Sequence, residues 1–167
     1  MDVKKHIQDR AASILPALVD IRRHIHQNPE LSFQEHETAA LVEKELQSLG
    51  LKTQRMANTG VVAVIEGKNP SKKVVGLRAD MDALPIVEVN DGRPYRSKKE
   101  GVMHACGHDG HTTMLLGAAQ YLCRKRNFRG SVVLVFQPAE EGLGGARRML
   151  AEGLFKRFPC DEIYGLH

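Results

Sequence analysis

The sequence predicts an α/β fold, with a mostly parallel sheet flanked by helices. Short β-branched runs alternate with amphipathic helical stretches, and Gly, Asn or Pro bounds the runs. The length, 167 residues, suits one domain, 1–167, able to bury roughly 70% of the surface its unfolded chain exposes.

Each element has its own warrant. Val3, Ile7, Ala11, Leu15, Leu18, Ile21 and Ile25 recur at steps of three and four, so one face of a long first helix is apolar until Asn28-Pro29 stops it. A second helix is expected from about 32 to 49, with Ala39, Val42, Leu46 and Leu49 inward. Ser32 and Glu35 have the spacing of a capping box, and Gly50 is the stop. The runs 61–65 and 74–77 read as strands, and the polar stretch 90–101 as a loop. Leu115, Ala118 and Leu122 support a helix from 111 to about 126. A buried strand over 131–136 ends before Pro138, a helix covers about 144–152, and 162–166 is the last strand.

Composition excludes several classes of function. Hydrophobic residues at 42% and charged residues at 26% are ordinary for a soluble protein, and no apolar run approaches the ~20 residues that span a bilayer. The opening MDVKKHIQDR has no apolar signal core, so the protein reads as cytoplasmic. The charge of +4 is mild, and the basic clusters 96–99 and 124–126 lack aromatic neighbours in a stripe; no nucleic-acid or membrane partner is expected. Three cysteines cannot all pair, and Cys123 and Cys160 sit among ordinary residues as inert thiols.

Cys106 has different company. From His104 to His111, three histidines, this Cys and Asp109 fall within eight positions, and imidazole and thiolate are preferred ligands of zinc and its neighbours. A polar loop with a stray thiol is the plain alternative. Glu140-Glu141 follow the strand that ends at 136, where one carboxylate can hold a metal and the other move a proton; alone, the pair also reads as a solvated helix start. Asp80 and Asp82, in alternate positions leaving another strand, lie on one side of an extended backbone. His167 ends the last strand. Four such clusters at strand ends, with complementary ligand types, read together as a metal-assisted hydrolase.

The motifs MHACGHDGH, FQPAEEG, RADMDALPI, HQNPELSFQEHET and YGLH together resemble the amidohydrolases of the aminoacylase–carboxypeptidase family, the group of hippurate, N-acyl-amino-acid and auxin-conjugate hydrolases. The resemblance runs over essentially the whole chain. It implies a zinc-exopeptidase-like catalytic domain and two divalent ions, with zinc, manganese, cobalt or nickel all compatible with the donor types. It implies Cys106, His108, Glu141 and His167 as metal ligands and Glu140 as the general base. Aligned on Pro85, the family's H-x-D-x-x-P motif puts Asp82 at the orienting Asp and Asp80 where the family has a ligand His. That departure leaves Asp80 without an assigned role, as are His104 and His111.

The substrate implied is a small N-acyl amino acid. Family members are more than twice this long, with an inserted lid or dimerisation domain and a further ligand His beyond it. The sequence therefore reads as the N-terminal part of the catalytic domain, with homo-oligomerisation open for the full-length form. Two competitors stand beside the hydrolase: a metal-binding fragment without turnover, and a thiol enzyme using Cys106 with His108 or His104.

Overall fold

A computed structural model describes residues 3–89 and 92–167; Asn90 and Asp91, where the expected 90–101 loop begins, lie outside the described residues, as does the side chain of Val3. The chain runs α1 (Val3–Gln27), α2 (His36–Ser48), β1 (Thr53–Met56), β2 (Gly60–Glu66), β3 (Asn69–Asp80), α3 (His108–Lys125), β4 (Arg129–Gln137), α4 (Gly145–Ala151), α5 (Leu154–Arg157) and β5 (Glu162–Gly165). The five strands form one sheet in the order β1-β2-β4-β3-β5.

The sheet is mixed rather than mostly parallel. β1 pairs antiparallel with β2 and β2 antiparallel with β4, whereas β3 pairs parallel with both β4 and β5. The reason lies in the connections. A helix separates β3 from β4, and two helices separate β4 from β5, and such crossovers return the chain in the same direction. Only the short link at Gly67-Lys68 joins β2 to β3, which reverses the chain, while β4 starts between the two: Gly67 N–H donates to Gly130 O and Asn69 N–H to Phe128 O. β1 was not expected, because Thr53-Gln54-Arg55-Met56 is a short polar edge strand with no apolar alternation to read.

Both faces of the sheet are covered, which explains the continuous apolar run of β4. Leu134 and Phe136 join Val61, Ile65, Val42, Leu46 and Leu116 under α2 and α3. Val133 and Val135 join Val62, Met56, Met149 and Leu154 under α4 and α5. The apolar face of α1 engages only in part: Ile25 is buried and Ile21 packs on the core, but Ile7 and Leu15 are exposed.

The capping box at Ser32 and Glu35 does not form. Glu35 occupies the N-cap position of α2 without capping through its side chain. The cap comes from outside the helix, where Glu30 accepts the N–H groups of Glu37 and Thr38 at 3.1 and 2.8 Å and the Thr38 hydroxyl at 2.9 Å. Ser32 and Glu35 are thereby free to bond elsewhere, and both do so beside the candidate site.

Candidate metal centre

β3, β4 and β5 run parallel, so their carboxyl ends open on one edge of the sheet. Asp80 and Asp82 leave the end of β3, Gln137 to Glu141 leave β4, and His167 follows β5. The N-terminus of α3 brings Cys106, His108 and His111 to the same edge. One ligand atom each from Cys106, His108 and Glu141 lie within 4.8 Å of one another. So do one each from Asp80, His108, His111 and His167. His108 belongs to both groups.

Asp82 is the organiser. Its Oδ1 accepts the Glu140 N–H at 2.9 Å, and its Oδ2 accepts the Glu141 N–H at 3.0 Å and the Ser32 hydroxyl at 2.7 Å. Burial alone would raise its pKa, but bonds from His108, Ser32 and the two amides outweigh burial and hold the carboxyl down to about 2. Its own carbonyl accepts from His108 Nδ1 at 2.8 Å, which fixes the tautomer and leaves Nε2 with its lone pair.

That Nε2 lies 3.6 Å from Asp80, 3.7 Å from Glu140 and 3.7 Å from Glu141. Burial works against a charged His108, yet Asp82 and Asp80 overcome it and raise the imidazole's pKa. Asp80, wholly buried, accepts His111 Nδ1 at 2.7 Å on one oxygen and both His167 Nδ1 at 2.9 Å and Arg78 Nη1 at 2.7 Å on the other. Arg78 Nε also donates to Gln137 at 2.9 Å. Desolvation of Asp80 is outweighed by these histidines and Arg78, so its pKa is lowered.

Two orphaned atoms show that this donor set suits a divalent ion. His108 Nε2 and Glu141 Oε1 are both buried, face each other, and have no hydrogen-bond partner among the described residues. Orphaned polar atoms are costly unless something else binds them. With the Cys106 sulfur beside them they make a mixed S, N, O set of the kind first-row divalent ions take. The thiol competitor fares worse. A hydrogen bond with Glu141, then burial, pushes the Cys106 thiol up to about 11, whereas a nucleophilic thiol needs a lowered pKa.

The sequence did not show what several residues here do. Glu35, buried, accepts the Ala139 N–H at 2.8 Å and the Thr59 hydroxyl, so it clamps the turn that carries Glu140; desolvation raises its pKa. His26 bridges Asp109 at 2.8 Å and Glu88 at 2.9 Å, and Arg22 joins Asp109 at 2.8 Å, which pins the start of α3 next to His108. His104 is buried with neither ring nitrogen bonded among the described residues; desolvation lowers its pKa to about 4. Glu35 stood out in the sequence only through its capping-box spacing from Ser32, and His104 and Asp109 only as members of the cluster from His104 to His111.

Known proteins resemble this chain in sequence and in fold. The chain is 52% identical over 163 residues to the hippurate hydrolase of Campylobacter jejuni, a match covering 93% of this chain and 42% of the relative. It is 49% identical over 160 residues to the IAA-amino acid hydrolase ILR1-like 2 of Arabidopsis thaliana, covering 95% of this chain and 35% of that protein. Its fold superposes on that of the Bacillus subtilis YXEP protein, a dinuclear metal binding peptidase, with a TM-score of 0.87 and 40% identity over 93% of this chain and 44% of the other. The chain thus spans less than half the length of the relatives it matches. Among the described residues no helix is long and apolar enough to cross a membrane. Residues 76–167, more than half of the chain, carry the pattern of a single family, and the chain belongs to peptidase family M20/M25/M40.

Proposed function

We propose that the full-length protein hydrolyses the amide bond of N-acyl amino acids, giving a carboxylic acid and a free amino acid. The observation that carries this reading is the facing pair of unpartnered atoms, His108 Nε2 and Glu141 Oε1, with the Glu140 carboxylate 3.7 Å from the same nitrogen. Cys106, His108, Glu141 and His167 would hold two divalent ions, of which zinc and manganese are the first candidates and cobalt and nickel also suit the donors. Bound there, the ions would supply a more acidic water and a polarised amide carbonyl.

The chain's own groups do the rest. Glu140, partly exposed at the rim of the cluster, takes the proton of the attacking water and delivers it to the nitrogen of the departing amine. Asp82 positions Glu140 and Glu141 through their backbone amides and fixes His108 through its carbonyl. The substrate class is suggested by the names of two relatives, a hippurate hydrolase and an IAA-amino acid hydrolase.

The test is an assay of the full-length protein on hippurate, N-acetyl amino acids and indole-acetyl amino acids, with each metal in turn and with chelator. Chelator-sensitive release of amino acid is expected. Turnover that survives complete metal removal would end the proposal.

A further inference from the structure

The geometry points to His111 as an additional metal ligand, acting through Nε2 and held in place by Asp80. This rests on the reading that the site holds divalent ions, and it gives His111 and Asp80 roles that neither sequence motif nor family resemblance assigned.

Three imidazoles, His108, His111 and His167, form a nearly equilateral triangle, with ring centroids 5.6, 5.4 and 5.7 Å apart and interplanar angles of 36°, 54° and 52°. The tilts show that the rings are not stacked. Imidazoles bound through nitrogen at about 2.0–2.1 Å to one tetrahedral ion place their centroids ~3 Å from it and ~5 Å from each other. The observed centroids, 5.4–5.7 Å apart, thus lie about 0.4–0.7 Å beyond that spacing, a gap that a small closure around one ion would remove.

The hydrogen bonds agree with the spacing. Each ring has Nδ1 tied to a protein oxygen: His108 to the Asp82 carbonyl, His111 to Asp80 Oδ1 and His167 to Asp80 Oδ2. Anchoring Nδ1 on a carbonyl or carboxylate is how metal-bound histidines are oriented, because it fixes the tautomer that frees Nε2. Among the described residues no hydrogen bond reaches Nε2 of any of the three. Asp80 thus serves two rings at once, and Arg78 locks the oxygen that faces His167.

The experiment is proton NMR of the full-length protein loaded with cobalt(II). A histidine bound through Nε2 keeps its Nδ1–H, which the nearby paramagnetic ion shifts far downfield and which disappears in D2O. His111→Gln is expected to remove one such signal, leave those of His108 and His167, and weaken one metal-binding step by about 10–100-fold. Asp80→Asn, which spares all three rings, is expected to weaken the same step.

Full retention of signals and affinity in His111→Gln overturns this inference while leaving the metal-dependent hydrolase standing. Failure of the unmodified protein to take up any metal overturns both. Should His111→Gln not fold, nitrogen-15 histidine spectra of the unmodified protein with and without zinc decide the matter: ligation shifts three Nε2 resonances in the described region, and a shift of only two defeats it.

Discussion

Asp82 accepts the backbone N–H of Glu140 at 2.9 Å, and this bond ties the end of β3 to the end of β4 at the centre of the candidate site. Because the neighbouring oxygen holds the Glu141 amide, one carboxylate sets the direction of both glutamates. An amide side chain would turn a donor toward a donor at one of these contacts. Asp82→Asn is therefore expected to lower metal affinity by about 10–100-fold, as loss of groups that orient ligands does. Competition titration against a coloured chelator measures it, and unchanged affinity would remove Asp82 from the organising role.

Glu140 reaches toward His108 from a partly exposed position, while the more buried Glu141 supplies the orphaned oxygen. In the full-length protein Glu140→Gln should keep its metal content and lose 10²-fold or more of kcat, the loss typical when a general base is removed. Metal analysis and turnover on the same preparation separate the two. A variant that also sheds its metal would show that Glu140 is a ligand instead.

Acid stability follows from the same carboxyl. Asp82 is depressed from 3.8 to about 2 in the folded protein. A depressed carboxylate contributes stability that is complete above its unfolded pKa and disappears as the pH falls through the folded one. The window is thus about pH 4 down to pH 2, and the contribution is about 2 kcal/mol. Urea unfolding in the presence of chelator, comparing the protein with Asp82→Asn, should show a stability gap that closes across this window. A gap of constant size would mean that Asp82 is not ionised in the folded protein.

Gly145 is the point where the turn carrying the glutamates closes. A Cβ there would lie 1.7 Å from the carbonyl oxygen of Pro138, and the Gly145 N–H donates to Ala139 O at 3.0 Å. No rotamer relieves a clash with backbone. Gly145→Ala should cost about 1–3 kcal/mol of stability and displace Glu140 and Glu141, so metal affinity falls with it. Thermal unfolding with and without zinc reads both effects; a variant as stable as the parent would show that the turn is free to open.

Much of the fold was legible because its signals are local. The β-branched run of β4, the helical spacing of α2 and α3, and the Gly and Pro stops depend only on neighbours in sequence. The failures share a cause. β1 is polar because it is an edge strand, and the capping box was displaced because Glu30, outside the helix, had the better reach. The parallel character of the sheet was right for β3, β4 and β5, where helices intervene, and wrong for β1 and β2.

By itself, the sequence determined the candidate donor types, their order along the chain and their positions after strands, since residue identity and periodicity suffice for these. It could not determine partners. Asp80 meets His111 and His167, Glu35 meets Ala139, and His26 meets Glu88 across separations of 31, 87, 104 and 62 residues. The Asp80 pairing with His167 follows from the strand order β4-β3-β5, which brings three carboxyl ends to one edge, while the Glu35 and His26 pairings need the ends of α1 and α2 packed beside that edge. Hydrogen bonds and ligand spacing are properties of distances of a few ångströms, and only tertiary packing fixes those distances between residues so far apart in the chain.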